Sequence, residues 1–441
     1  MKNKIQFYLI TLIYAIALFI MGYCFDRSDF LVHLGLYAVC FGICLIIYRF
    51  ADQWKVSLKL GLTIAFLLRI ILLVSEPVLS DDFYRFVFDG QLIRNGINPY
   101  LYLPQDSISF LSIEGNPYWS TLLQGMNSEG YYSVYPPFHQ LFFYIAALGG
   151  EDLLANIVIL RLLILVFEGL VFYLLYSLLG LLGIQLSNLW LYAFNPLIIL
   201  ELTGNLHFEG IVLSGLLASI YFYHQKLAKS TGISWAWAVG VKLSPMMMLP
   251  IWLMAWKRKH LYRFLVYSSV FIFFSLIPLG FENGYLNFWK SFRLYQSSFE
   301  FNASIYYILR WVSGFWLDYN PIQTLGPILN LLAFSLILWL VFLRKIQKTT
   351  ELVETMVGVF LVYLLFQTTV HPWYLIPAFG LSLLTKDKVF LAWSGAVFLS
   401  YAAYRNELVE EDAFLLLIQY GIVFGMIIWS FLKRFTVNKI Q

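Results

Sequence analysis

The chain has 441 residues, of which 60% are hydrophobic and only 12% are charged. A soluble globule of this size needs more polar surface than that, so the composition predicts a protein that uses lipid as its solvent. The formal net charge of +4 gathers in short clusters such as 257–259 and 386–388. Such clusters are typical of topology signals beside membrane spans and argue against a nucleic-acid footprint.

Three apolar runs open the chain, at 6–24, 30–48 and 57–74. Each has about the length that crosses a hydrocarbon layer of about 30 Å. Basic residues before the first run and after the second predict that the N-terminus and the second loop lie inside. The third run then leads outward, so we expect the polar segment 75–135 to be an outer loop, and loops of this length are usually functional.

Most apolar pieces beyond this loop are too short to cross a membrane, and prolines interrupt several of them. They cover 137–149, 188–200, 234–243, 245–256 and 372–385. Broken helices at membrane depth are tolerated only where they pack inside protein or line a wet cavity. We therefore expect an all-α polytopic membrane protein, a single transmembrane domain over 1–441 with about 11–14 transmembrane and re-entrant helices.

The first candidate site is the segment 80–94, whose pattern predicts an amphipathic helix lying in the membrane interface. Asp82, Arg85 and Asp89 share one face of that helix. A serine and two aspartates at its start also suit an ordinary helix N-terminus. If the segment is functional, Asp81 or Asp82 acts as a general base on a hydroxyl, or instead ligates a divalent cation through oxygen.

A second candidate combines Glu201, His207 and Glu209 between apolar runs, where ionisable side chains are costly and usually face a cavity. No further ligands stand at a zinc-like spacing, so no zinc site is predicted there, and any metal would be a hard cation bound through oxygen. Lys242 lies at the hinge of a predicted helical hairpin over 234–256. It either reaches toward the membrane surface or provides the cation for a lipid-linked phosphate.

Aromatic residues at outer helix entries supply further candidates for substrate binding. His371, Trp373 and Tyr374 form either an aromatic belt at the membrane surface or a platform for a phosphate and a sugar ring. Polar groups among aromatics at 131–140 and 299–307 add Tyr135, His139 and Asn302. Arg161 and Glu168, inside one long apolar run, are expected to make buried structural contacts only.

Six segments in this order resemble the polyprenol-phosphate-sugar-dependent glycosyltransferases of the GT-C fold, and more narrowly bacterial membrane mannosyltransferase-like proteins. The resemblance runs from about residue 73 to 384 and is carried by SDDFYRFVFDGQLIRNGINPY, YPPFHQ, NPLIILELTGNLHFEG, KLSPMMMLP, FNASIYY and HPWYLIP. It implies a multi-span enzyme with a catalytic aspartate in an early outer loop. Such an enzyme takes a sugar from a lipid phosphate carrier and inverts its anomeric centre.

Matched residue by residue, the resemblance makes Asp81 or Asp82 the catalytic residue, with Tyr84, Arg85 and Asp89 as the wall of the site. The other matched positions are Asn205, His207, Glu209, Lys242 and Pro245. The chain departs from the common arrangement in having three predicted spans before the catalytic loop. It also has glutamate at the last acidic position, where members often have aspartate.

These observations predict a membrane glycosyltransferase that moves a sugar, expected to be mannose, from a polyprenyl-phosphate carrier to a glycolipid or glycan hydroxyl at the outer face. Its expected partners are that donor, that acceptor and membrane lipid, without nucleic acid; a divalent cation is the one cofactor left open. We expect a multi-pass protein of the bacterial inner membrane with both termini in the cytoplasm. A transporter or flippase of lipid-linked glycans is the main alternative, because broken helices with buried charges also suit transport. The third hypothesis is a membrane transferase of another class.

Overall fold

The computed structural model describes residues 2–111, 115–406 and 408–438, and these are helical apart from turns and one isolated bridge between Phe301 and Thr369. The helices up to residue 198 are Lys2–Tyr23 (α1), Phe30–Phe50 (α2), Leu58–Ile70 (α3), Asp82–Arg94 (α4), Pro104–Leu111 (α5), Pro117–Gly125 (α6), Pro137–Ala147 (α7), Leu153–Leu181 (α8), Asn188–Ala193 (α9) and Pro196–Ile198 (α10). The later helices are Glu209–His224 (α11), Ala228–Val241 (α12), Leu249–Ala255 (α13), Arg258–Leu276 (α14), Gly284–Ser297 (α15), Ile305–Ser313 (α16), Ile322–Phe342 (α17), Thr349–Phe366 (α18), Leu375–Ser382 (α19), Val389–Ala396 (α20) and Ala413–Asn438 (α21). The predicted all-α class is confirmed.

Within the described ranges, seven helices are long and apolar enough to cross a membrane. They are Lys4–Tyr23, Phe30–Phe50, Leu153–Leu181, Arg258–Gly280, Ile322–Phe342, Thr349–Phe366 and Ala413–Lys433. An eighth crossing results if Pro196–Gly204 and Glu209–His224, which meet at 115°, are counted as one broken span. A polytopic membrane protein is therefore confirmed. The expected total of 11–14 also counted re-entrant pieces, and several apolar runs do fold as short helices.

The third predicted crossing, 57–74, differs from the structure. Its helix α3 has 13 residues, which corresponds to about 20 Å and falls short of a hydrocarbon layer of about 30 Å. Turns follow the helix, and the carbonyl of Leu73 accepts a hydrogen bond from the Arg161 side chain. The Leu73 carbonyl thus accepts from a side chain of another helix, and the apolar run does not continue as one long helix.

The contacts of the chain form two compact units. The first unit comprises Met1–Leu72, Phe172–Glu201 and Glu300–Gln441. The second comprises Leu73–Val171 and Leu202–Phe299. Helix α8 and the π-helix Ile199–Gly204 contribute residues to both. The second unit contains the whole of the predicted outer loop, 75–135.

Helix α4 of the second unit is more buried than an interfacial helix. The helix predicted over 80–94 is present, but nine of its 13 residues are buried. Its polar side chains are tolerated inside because they have internal partners: Gln91, for example, donates to the hydroxyl of Tyr118 at 2.9 Å and the carbonyl of Gly150 at 2.6 Å. The predicted exposure of one face to the membrane surface is therefore wrong for most of this helix.

A close approach of helices α4 and α7 fixes the orientation of α4. A Cβ atom added to Gly90 would lie 2.1 Å from the carbonyl oxygen of Phe143. No other residue type fits at that distance, so glycine allows the two backbones to touch. The contact positions the start of α4, where the two candidate aspartates lie.

Candidate active site

Asp82 lies at the first position of α4 and faces His207 from a distant part of the chain. The Asp82 side chain is 28% exposed, and its Oδ2 lies 3.9 Å from Nε2 of His207, whose own side chain is 3% exposed. Burial raises the pKa of Asp82; the nearby His207 and Lys242 oppose this rise, and the neighbouring Asp81 and Glu209 reinforce it. An ionised carboxylate with a raised pKa is a stronger base than an ordinary aspartate.

The loop that carries His207 is tied to the segment before the aspartates. The backbone N–H of Leu79 donates to Oδ1 of Asn205 at 3.2 Å. Between Asn205 and His207, the buried Leu206 has a φ of 64°, in the left-handed region that non-glycine residues rarely adopt. Such strain persists only where the surroundings impose it and concentrates at functional sites. The loop is therefore held in one conformation, with its histidine beside Asp82.

Lys242 ends helix α12 in an extended conformation, with φ −149° and ψ 137°. The predicted hinge at this lysine is confirmed, although the helix before it begins at Ala228 and not at 234. Its ammonium forms an ion pair with Glu209. The Glu209 side chain is 3% exposed and that of Lys242 is 34% exposed. An ammonium has three N–H donors, so this arrangement presents a positive charge that an anion can reach.

Arg85 and Asp89 form a buried ion pair with a bond of 2.7 Å between Nε and Oδ1. Nη1 of Arg85 also donates to the carbonyls of Ser128 at 3.0 Å and Tyr131 at 2.8 Å. Oδ2 of Asp89 accepts from Gln140 at 2.8 Å. These contacts hold the loop that precedes α7 against α4. The pair predicted as the wall of the site thus acts in the structure as its internal support.

Two tyrosines predicted as substrate-binding residues flank the aspartates. The hydroxyl of Tyr84 donates to Oε1 of Glu76 at 2.6 Å, which directs that phenol toward the end of the preceding turn. Tyr135 is half buried, and its pKa is raised by burial and by the charge of Asp82. Tyr135 therefore lies within the electrostatic reach of Asp82.

His139 is buried in an aromatic cluster. The centroid of its ring lies 4.2 Å from that of Phe208 and 4.7 Å from that of Phe143. Burial, with a smaller contribution from Lys242, lowers the pKa of His139 to about 3. The imidazole is therefore neutral near pH 7 and supplies no positive charge to a phosphate.

Arg161 joins the two segments that bear the candidate residues. The side chain is fully buried in α8. It donates to the carbonyls of Thr203 at 2.7 Å and Gly204 at 3.0 Å, to that of Leu73 at 2.9 Å and to Oγ of Ser75 at 3.2 Å. The structural contacts predicted for this arginine are confirmed. Through these hydrogen bonds, Arg161 links residues 73–75, which precede the aspartates, to residues 203–204, which precede Asn205.

Tyr295 belongs to this neighbourhood, but the sequence reading did not single it out. It lies on α15, and its pKa is raised to about 12 by burial and by the charge of Asp82. The sequence signal was only a cluster of aromatic residues between two spans. Nothing in that pattern relates it to Asp82, which is far away along the chain.

The other predicted site residues lie in the first unit. Asn302 is fully buried; its Nδ2 donates to the carbonyl of Val370 at 3.0 Å, and its Oδ1 accepts from Gln419 at 2.8 Å. The ring of His371 stacks on that of Trp373 at 4.3 Å and meets that of Tyr374 edge-on at 5.4 Å. Glu201 is also in the first unit, and its Oε1 accepts from the hydroxyl of Tyr401 at 2.5 Å. The predicted residues thus fall into two groups, one in each unit.

The group in the second unit combines a base with a cation. Asp82 is partly exposed and able to accept a proton, and Lys242 is able to stabilise an anion that forms nearby. Over the part of the chain that the structure describes, no set of three or more His, Cys, Asp or Glu side chains is placed to hold a metal ion. The arrangement suits the transfer of a group from an anionic leaving group to a hydroxyl.

Comparison with known proteins agrees with this chemistry. The family model described as "Alpha-(1->6)-mannopyranosyltransferase, N-terminal domain" matches residues 16–258, more than half of the chain. Alpha-(1->6)-mannopyranosyltransferase A of Mycobacterium tuberculosis is 27% identical over 188 residues, 42% of this chain and 35% of that protein. A second alpha-(1->6)-mannopyranosyltransferase of the same strain is 27% identical over 156 residues, 34% of this chain and 25% of that protein. The chain therefore aligns with at most 35% of the length of these relatives.

Proposed function

We propose that this chain, which belongs to the alpha-(1->6)-mannopyranosyltransferase family, transfers a mannosyl residue from a polyprenyl-phosphate carrier to a hydroxyl of a glycolipid or glycan. The observation that carries the proposal is the grouping of Asp82, His207 and Lys242, all within the matched region 16–258. The names of the relatives specify an α-(1→6) linkage, and we propose the same linkage for the product of this chain.

In the proposed reaction, Asp82 accepts the proton of the acceptor hydroxyl as the hydroxyl oxygen bonds to C1 of the mannose. The bond between C1 and the phosphate oxygen breaks, and its electron pair leaves with the polyprenyl phosphate. The ammonium of Lys242 stabilises the negative charge of the departing phosphate. Phosphate is already a good leaving group, so the reaction needs no separate general acid. A single displacement inverts C1, and an α-linked product therefore requires a β-linked mannosyl phosphate.

We further propose that the protein lies in a bacterial inner membrane with both termini in the cytoplasm. Basic residues before the first long span and after the second support an inside location for those segments. The outward location proposed for the segment 75–135, which carries Asp82, requires α3 and the turns after it to lead together through the membrane, since α3 alone is shorter than the hydrocarbon layer. A lipid-linked donor suits such a site, because its chain can stay in the bilayer while the phosphate reaches Lys242.

A reconstituted transfer assay tests this proposal. The purified protein is placed in liposomes with radiolabelled mannose on a short polyprenyl phosphate, and with nucleotide-linked mannose in a parallel sample. A short α-mannoside serves as acceptor. We expect transfer from the lipid-linked donor only, with a product longer by one (1→6)-linked hexose. Movement of the labelled lipid across the bilayer without any transfer would instead show a transporter or flippase.

Lys242→Gln is expected to weaken donor binding. Hydrogen bonds to charged groups contribute about 1.5–3 kcal/mol, so the KM for the donor should rise by roughly 10- to 100-fold. The same substitution leaves the buried Glu209 without its cation, and the double variant Glu209→Gln/Lys242→Gln separates this folding effect from donor binding. Lys229→Gln, at an exposed lysine of the same unit, serves as the control. An unchanged donor KM in both Lys242 variants would exclude the lysine as the phosphate partner.

A further inference from the structure

Three aromatic side chains of the second unit form a corner that the reaction above does not use. The rings of Tyr295 and Phe299 stack, with centroids 4.8 Å apart and an angle of 26° between their planes. The ring of Tyr131 stands nearly perpendicular to that of Phe299, at 5.9 Å and 80°. All three residues are partly exposed. We call this group, Tyr131, Tyr295 and Phe299, the aromatic corner.

The aromatic corner adjoins the helix that begins at Asp82. Arg85, one turn along α4 from Asp82, donates to the carbonyl of Tyr131 at 2.8 Å. The charge of Asp82, after burial, contributes to the raised pKa of Tyr295. The hydrogen bond places Tyr131 against the helix of the proposed base, and the influence of Asp82 on the pKa of Tyr295 agrees with that position.

Helix α15, which carries Tyr295, is fixed to the same outer segment. Nδ2 of Asn287 donates to the carbonyl of Tyr100 at 3.0 Å. The ring of Phe288 meets the ring of Tyr100 at 6.0 Å and 72°. In turn, the Tyr100 hydroxyl donates to the carbonyl of Tyr135 at 2.5 Å. These contacts fix the helix of Tyr295 against the segment that contains Tyr100 and Tyr135.

We propose that the aromatic corner is the subsite for the acceptor, and that it binds a pyranose ring through the ring's C–H face; this inference rests on the proposed function. In an in-line displacement, the acceptor oxygen and the leaving group lie on opposite sides of C1, and the base lies next to the acceptor. In this proposal the phosphate leaves on the side of C1 where Lys242 lies. The corner is joined to the helix of the base through Arg85, and it offers the flat apolar faces that cover a sugar ring well.

Tyr295→Ala tests the subsite in the reconstituted assay. Aromatic contacts of this kind contribute enough that we expect the KM for the α-mannoside acceptor to rise by about 3- to 10-fold. The donor KM should stay at its wild-type value. Tyr295→Phe keeps the ring and should recover most of the loss. Tyr285→Ala, at a tyrosine of the same helix that is 57% exposed, is the matched control.

An acceptor KM that stays at the wild-type value, or a donor KM that rises equally, would overturn the inference. If Tyr295→Ala shows no cooperative unfolding transition, it has not folded, and Phe299→Leu decides: a raised acceptor KM supports the subsite and an unchanged one rejects it. Failure of the proposed function gives a different result. In that case the wild-type protein itself transfers no mannose, whereas failure of the subsite alone leaves wild-type transfer intact.

Discussion

Asp82→Asn is expected to lower the turnover number of mannosyl transfer by about 100- to 10,000-fold, which is the usual contribution of a general base. Asparagine has nearly the same size but accepts no proton at physiological pH, so donor binding should persist. The measurement is the rate of transfer at saturating donor and acceptor. Asp81→Asn is the matched control, because it removes the adjacent carboxylate, and it should change the rate by only a few-fold.

The pH dependence of the rate provides a second readout of the same residue. The ionised carboxylate is the active form, and burial raises the pKa of Asp82. Activity should therefore fall, as the pH is lowered, at a higher pH than the pKa of about 3.9 of an ordinary aspartate implies. His207→Gln removes an influence that lowers the pKa of Asp82, so it should move this acid limb further upward. If Asp81→Asn abolishes transfer and Asp82→Asn does not, the base is Asp81.

Arg161→Met is expected to cause the largest loss of stability of any substitution discussed here. It leaves three buried acceptors and the partly buried carbonyl of Leu73 without their donor. An unsatisfied buried polar group costs about 1–3 kcal/mol and the effects are not additive, so we expect a loss of at least about 3 kcal/mol in the free energy of unfolding. The measurement is the unfolding transition of the purified protein in detergent.

The control for this prediction is Arg94→Met, at an exposed arginine near the end of α4. It should change the unfolding free energy by no more than about 0.5 kcal/mol. Arg161→Lys keeps a charge but offers fewer donors in a different geometry, and it should lie between wild type and Arg161→Met. A stable and fully active Arg161→Met would show that these hydrogen bonds do not hold the two segments of the site together.

Local signals in the sequence were sufficient to predict several features of the structure. The low charge and high apolar content predict a membrane protein, because burial in lipid is the only way to cover so much apolar surface. The stop of α4 follows from the turn residues after Arg94. Its start lies one residue later than a cap at Ser80 predicts, because the N-cap is Asp81, whose side chain makes no capping hydrogen bond. The hinge at Lys242 follows from the proline three residues later, since proline lacks the N–H of a helical hydrogen bond and disfavours a continuous helix.

Features that depend on distant partners could not be predicted in this way. The burial of α4 depends on partners such as Tyr118 and Gln140, which lie in other segments. The choice of Asp82 over Asp81 rests on the approach of His207, more than a hundred residues later. Local periodicity contains no information about such contacts, because they form only when the helices pack.

The most direct test of the central claim compares the wild-type protein with Asp82→Asn in one experiment. Both are reconstituted with a radiolabelled β-mannosyl polyprenyl phosphate and an α-mannoside acceptor, and donor binding and transfer are measured together. We predict equal donor affinity, with an α-(1→6)-linked product from the wild-type protein and almost none from the variant. Equal transfer by both proteins would contradict the role of Asp82, and donor binding without any transfer by the wild-type protein would contradict the proposed function itself.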